Sequence, residues 1–203
     1  MKKIIYILVA ILALNSCDVL DMKPLDKVSD ADVWEDSALI ELYVNASYNS
    51  INHEFSQHML SDASDETYCI HNWANFWVIQ KGEMTSDNVT GISEKINYWK
   101  SAYSNIRTIN VFFDRIDDAP VETDLKNRMK GEMKFIRAWI YANLIWRYGD
   151  VPLITDLFEL NQDYKVKRDS YSDCVDFITK ELDEAMTWLP AKSSSETLGR
   201  ATG

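Results

Sequence analysis

The residues of this sequence with the most recognisable binding chemistry lie in 68–77, YCIHNWANFW, just after the acidic run Ser61-Asp62-Ala63-Ser64-Asp65-Glu66. A sugar presents apolar C–H faces and a rim of hydroxyls, so a site for it needs flat aromatic platforms edged by amides or carboxylates. Tyr68, Trp73, Phe76 and Trp77 supply platforms, and Asp65, Asn72 and Asn75 supply the polar edge, on a stretch without helical period. Core packing and loop anchoring is the plain alternative use of the same aromatics. Asp65, Tyr68, Asn72, Trp73, Asn75 and Trp77 are therefore the candidate ligand-binding residues, with Trp73 and Trp77 as the stacking pair.

Catalytic readings are weaker. His53-Glu54-Phe55-Ser56-Gln57-His58 comes near the zinc-protease motif, which sets two histidines four apart on one helical face. Five apart, they point about 140° away from each other on a helix of about 3.6 residues per turn. Both read as loop or surface residues, and His71 stands alone. Asp62, Asp65 and Glu66 offer carboxylates for glycoside hydrolysis, which needs a pair about 5–9.5 Å apart across a cleft. Any acidic loop offers as many, and a Ca²⁺ site or helix capping suits them equally. With no nucleophile elbow, phosphate-binding loop, dinucleotide fingerprint or CxxC, the chain reads as noncatalytic, without cofactor or metal.

The elements that must position these residues are helical. Ser29 or Asp30 is an N-cap for a first helix to about Asn52, along which Val33, Trp34, Leu39, Leu42, Tyr43, Ala46 and Ile51 recur at helical spacing. Periodicity then lapses to Val89, with Phe76-Trp77-Val78-Ile79 as a short strand. It resumes over Ile92 to Asp117, where Ile96, Trp99, Tyr103, Ile106, Ile109, Phe112 or Phe113, and Ile116 share a face. After the turn at Asp118-Ala119-Pro120 comes the central helix. One apolar stripe is Leu125, Met129, Met133, Ile136, Ile140 and Leu144; beside it runs Phe135, Trp139, Ala142 and Trp146. So broad an apolar surface requires cover on more than one side. Gly131 offers a close approach for a neighbouring helix, Gly149 supplies an αL stop, and Pro152 forbids continuation. Arg137 and Arg147 are expected to pair with carboxylates between helices. A last helix runs from about Ser170 or Tyr171 to Trp188, carries Val175, Ile178, Leu182, Ala185 and Leu189, and is stopped by Pro190. Packed helical pairs, and a mainly α fold, follow.

Composition narrows the partners. The chain has 203 residues, 46% hydrophobic, with 7 Trp and 10 Tyr, enough for a substantial core. Its formal net charge is −11, and −13 once Lys2 and Lys3 are lost with a leader; such a chain is a poor holder of phosphates, and nucleic acid is excluded as the expected partner. Residues 1–16 read as an export signal, a basic Lys2-Lys3 followed by the apolar run Ile4 to Leu14, too short to span a bilayer. Leu14-Asn15-Ser16-Cys17 resembles a bacterial lipobox, which makes Cys17 the lipidated residue; several acyl chains, at about 0.8 kcal/mol per buried methylene, would anchor the protein. Residues 17–28 form the polar tether and 29–203 the helical domain. Cys69 and Cys174 could pair, but they read rather as two buried thiols, since nothing here resembles a dense disulfide framework.

One resemblance goes beyond periodicity. Gly131-Glu132, Phe135, Arg137-Ala138 and Arg147-Tyr148-Gly149-Asp150-Val151-Pro152-Leu153 resemble the signature of the RagB/SusD family, the surface glycan-binding lipoproteins of Bacteroidetes. Leu20-Asp21-Met22-Lys23-Pro24 matches the family's segment after the lipidated cysteine. Trp99, Tyr103, Ile106-Arg107 and Asn110 match its next helix, and Gly199-Arg200-Ala201-Thr202 the motif that opens a further one. The resemblance implies a tetratricopeptide-like superhelix of helical pairs with one irregular aromatic-rich region. Because family members are considerably longer, it covers only their amino-terminal part.

It also implies an outer-membrane lipoprotein, facing outwards, that binds oligosaccharide or another nutrient and delivers it to a SusC-like TonB-dependent transporter. In the family an acidic segment followed by an aromatic loop at about this position contributes glycan contacts. The Gly149-Asp150-Val151-Pro152 motif is expected to be structural. The alternatives are a helical-repeat lipoprotein scaffold for protein interaction, a glycan hydrolase built on Asp62, Asp65 and Glu66, and a nonfunctional truncated remnant.

Overall fold

The computed structural model describes residues 30–51, 60–68, 70, 76–85, 87–88, 97–158, 161, 164–192, 194–195 and 198–203. The chain divides into two compact units, Met1–Val33 and Trp34–Gly203. Of the first, the described residues 30–33 are helical. In chain order the helices are α1 (Asp30–Glu35), α2 (Ser37–Ser47), α3 (Trp77–Gln80), α4 (Trp99–Arg115), α5 (Thr123–Tyr148) and α6 (Tyr171–Trp188), with 3₁₀ turns at Tyr48–Ser50 and Leu60–Ala63. Among the described residues there is no strand, and an isolated antiparallel bridge joins Val151 to Asp169.

The expected single first helix is broken. Asp36 adopts an extended conformation, φ −123° and ψ 116°, and its carboxylate accepts a hydrogen bond from the Ala38 amide at 2.8 Å. Aspartate is a strong N-cap, so a second start signal inside the run wins over continuation. Trp34 packs against Tyr43 and Phe112 at ring separations of 5.1 and 6.4 Å.

On α5 the first apolar stripe holds from Met129 onwards: Met129, Met133, Ile136, Ile140 and Leu144 are fully buried, while Leu125 is half-buried. The second does not, for Trp139 is 40% and Trp146 72% exposed. The further cover lies over charged residues instead. Lys134 donates to Glu181 at 2.6 Å and pairs with Glu184 at 2.8 Å; Arg137 Nε donates to Glu181 at 2.7 Å and its Nη1 to Asn110 at 3.0 Å. On the same helix Glu132 joins Arg128 and Arg200, each at 2.8 Å. Arg137 thus finds its expected interhelical carboxylate. Arg147 donates to the carbonyl and carboxamide of Asn143 at 3.1 and 2.9 Å and lies over the Tyr98 and Trp146 rings.

Gly131 is the close approach. A Cβ there would meet the Leu189 side chain at 3.0 Å and the Ala185 carbonyl at 3.3 Å. The bounds of α6 are as expected, with Ser170 as N-cap, yet its buried face is Cys174, Glu181 and Ala185. Val175 and Leu182 stay exposed at 38% and 37%. The helix is turned this way because Glu181 meets two cations of α5 and the Cys174 thiol meets the Val151 carbonyl at 3.6 Å. Cys174 is a free, buried thiol, raised in pKa chiefly by burial. Cys69 lies outside the described residues.

The Gly149-Asp150-Val151-Pro152 segment serves as a strap. Gly149 stops α5 with φ +68° and ψ −124°, a glycine-favouring conformation with positive φ that differs from the αL expected. Asp150 accepts from the Tyr171 amide at 2.9 Å, and Tyr103 donates to the Pro152 carbonyl at 2.9 Å. Tyr141 donates to the Ile154 carbonyl at 3.2 Å and accepts from its amide at 2.8 Å. At the start of α4, the Tyr148 hydroxyl accepts from the amides of Tyr98 and Trp99 at 2.9 and 3.1 Å, capping α4 from the end of α5.

These buried phenols have a pH consequence. Burial pushes the Tyr48 and Tyr98 hydroxyls up to about 12 from their ordinary 10.0. As pH rises, the unfolded chain releases those protons first, so their contribution is complete below about pH 10 and is lost as pH climbs through about 12. Urea midpoints measured across that window are expected to fall with pH; a flat profile would contradict the burial of these hydroxyls.

Candidate glycan-binding site

The acidic turn and α3 line an open cavity of about 750 Å³, bordered by Asp65, Glu66, Thr67, Tyr68, Trp77 and Gln80, among others. Its size falls within the range of about 300–1,000 Å³ usual for small-molecule sites. Phe76-Trp77-Val78-Ile79 is not the expected strand: α3 covers Trp77–Gln80, and Phe76 and Val78 are buried beneath it. The helix sets Trp77 and Lys81 on one side, and the Lys81 ammonium covers one indole face, 4.7 Å from the ring centroid.

The Gln80 side chain ties the acidic turn to α3. Gln80 Nε2 donates to the carbonyls of Asp62, Ser64 and Thr67 at 3.0, 3.3 and 2.8 Å. The turn also braces itself: Thr67 donates to Asp62 Oδ1 at 2.8 Å, and Ser64 donates to the Ser61 carbonyl at 2.8 Å. Asp62 is therefore committed to loop structure, whereas Asp65 and Glu66 are exposed. Tyr68 is 67% exposed.

Of the candidates, Asp65, Tyr68 and Trp77 come together around this cavity. Asn72, Trp73 and Asn75 lie outside the described residues, as do His53, His58 and His71. Gln80, Lys81 and Thr67 were not singled out by the sequence. The signal for two of them was present: read as a helical turn, Trp77 has Gln80 and Lys81 at i+3 and i+4, on its own face. Among the described residues no cluster of His, Cys, Asp and Glu is arranged to hold a metal, and no helix is long and apolar enough to cross a membrane. The arrangement offers aromatic surface beside carboxylates, hydroxyls and an ammonium, which is chemistry for holding a polyhydroxylated ligand.

Residues 18–203 match the family model described as SusD-like, starch-binding and associating with the outer membrane. The chain belongs to the SusD-like family. It is 25% identical over 199 residues to SusD-like protein P38 of Formosa agariphila, an alignment that takes in 96% of this chain and 38% of that protein. The fold is similar to that of a SusD-like protein from Bacteroides fragilis, with a TM-score of 0.74 at 29% identity over 89% of this chain and 35% of the other. A laminarin-binding SusD-like protein aligns with a TM-score of 0.66 at 24% identity, over 82% of this chain and 36% of its own. The chain thus spans little more than a third of the length of these relatives. The mainly helical, tetratricopeptide-like architecture is that of SusD-like proteins.

Proposed function

We propose that this SusD-like chain binds neutral oligosaccharide in the cavity at Asp65, Tyr68 and Trp77 and passes it to a SusC-like TonB-dependent transporter. The observation that carries the reading is the cavity itself: two aromatic rings beside a carboxylate, held by the Gln80 clamp, in a volume fit for a short sugar chain. The family description, starch-binding and outer-membrane associated, supports it. No reaction is part of the reading; affinity and handover suffice.

The binding experiment is retardation in a gel containing laminarin, the glycan in the name of one structural relative. Tyr68→Ala and Trp77→Ala are each expected to lose most of the retardation, because stacking surface is removed from an exposed site while the buried core is untouched. Retardation equal to the parent chain in both variants would sink the assignment. Localisation rests on the lipobox-like Leu14-Asn15-Ser16-Cys17, with a leader at 1–16 and a tether at 17–28. Cys17→Ser is expected to move the chain from the outer-membrane fraction to the soluble one. A transporter barrel should co-purify with the lipidated form. An unchanged membrane fraction would refute lipidation at Cys17.

A further inference from the structure

A second cavity, of about 240 Å³, lies where α2 and the turn after it cross α4, and it shares no residue with the larger one. Its lining carries no charged side chain: Tyr43, Ser47, Ser50, Asn105 and Thr108 give it polar groups, while Ala46 and Ile109 give it apolar surface. The hydroxyls have spent their protons. Ser47 donates to the Tyr43 carbonyl at 3.0 Å, Ser50 to the Ser47 carbonyl at 2.6 Å, and Thr108 to the Ser104 carbonyl at 3.2 Å. Tyr43 donates to the Thr108 carbonyl at 2.8 Å, tying α2 to α4 across the cavity. What the serine and threonine oxygens have left are lone pairs, so the wall accepts hydrogen bonds. Asn105 is half-buried, and its carboxamide makes no hydrogen bond among the described residues, which leaves two donors and an acceptor for a ligand.

We propose that this cavity is a separate site for a single neutral sugar ring. The ligand must donate several hydrogen bonds, accept from one amide, present a C–H face to Ala46 and Ile109, and carry no charge, since no lining group would neutralise one. A hexose has that combination. At about 240 Å³ the space is smaller than the usual site for a drug-sized ligand, of about 300 Å³ or more, and suits one ring better than a chain. The proposal does not depend on the reading of the larger cavity.

The test is a titration of the isotope-labelled chain with D-glucose, D-galactose and D-mannose separately, followed by amide resonances. At least one sugar is expected to shift the Asn105 side-chain amide and the Ser50 backbone amide saturably. Asn105→Ala should weaken the binding read at Ser50 about tenfold, the worth of one or two hydrogen bonds. Ala46→Phe, which fills the cavity from an exposed position, should abolish it while the remaining spectrum stays native. No saturable shift with any of the sugars, binding of unchanged strength in Asn105→Ala, or shifts that survive in Ala46→Phe would overturn the proposal. So would saturable shifts confined to Tyr68 and Trp77.

Discussion

Replacing Glu181 by alanine is expected to lower the free energy of unfolding by about 3–5 kcal/mol, the usual cost of removing one partner from a buried charge cluster. Glu181 is 4% exposed and receives Lys134 on one oxygen and Arg137 on the other, at 2.6 and 2.7 Å. Without it Lys134 keeps Glu184 at 2.8 Å. Arg137 keeps the Asn110 carboxamide and the faces of Phe113 and Phe177, with ring centroids 4.5 and 5.7 Å from Cζ. Neither remnant neutralises a buried guanidinium. Two comparisons separate this cause from general disruption. Glu184→Ala should cost only about 0–1 kcal/mol, since that side chain is 39% exposed and Lys134 keeps Glu181. Replacing Lys134, Arg137 and Glu181 together by Met, Leu and Leu should recover most of the loss, because the desolvation penalty goes with the charges. Urea denaturation reads all three; a loss below about 1 kcal/mol in Glu181→Ala would contradict the cluster as described.

Glu132→Ala is expected to cost about 3 kcal/mol and also to free the end of the chain. Glu132 has no exposed side-chain surface and accepts from Arg128 and Arg200, each at 2.8 Å. Those arginines also share Glu41 Oε1, at 2.6 and 3.2 Å, so that α2, α5 and the carboxyl-terminal segment meet at one ion network. Beside it the Ala201 amide donates to the Tyr48 hydroxyl at 3.0 Å, and the Gly203 amide donates to the Pro190 carbonyl at 3.1 Å. Loss of Glu132 leaves Arg200 with Glu41 alone, whose side chain is 36% exposed. Hydrogen exchange should therefore speed at Ala201 well beyond the global change in stability. Glu41→Ala should have the smaller effect on both readings, since Glu132 still holds both arginines. Unaltered protection of the Ala201 amide in Glu132→Ala would show that this network does not hold the segment.

What could be read from the sequence depended on how local its cause is. The ends of α5 and α6 were legible because caps and stops sit within a few residues: Ser170 before α6, Gly149 and Pro152 after α5. The first stripe of α5 was legible because apolar spacing reports burial directly. Trp139 and Trp146 continued that logic and failed, since their spacing cannot say whether a neighbour exists to cover them. The buried faces of α5 and α6 are fixed by pairs 44 and 47 residues apart, Arg137 with Glu181 and Lys134 with Glu181, and no local pattern marks them. Phe-Trp-Val-Ile are all good strand formers, and a four-residue apolar run cannot distinguish a strand from a helical turn. At the candidate site the aromatic and acidic residues could be seen in advance. The Gln80 clamp could not, because its acceptors are backbone carbonyls, which carry no side-chain signature.

The central claim, that the cavity at Asp65, Tyr68 and Trp77 binds glycan, is tested most directly by calorimetric titration of the chain and its Trp77→Ala variant with laminarin- and starch-derived oligosaccharides. Saturable heat for the parent chain with at least one of them, and a dissociation constant weaker by about tenfold in the variant, equal to about 1.4 kcal/mol, is the result this account predicts. Saturable binding of the same strength in both chains, or none in the parent with any of these sugars, would contradict it.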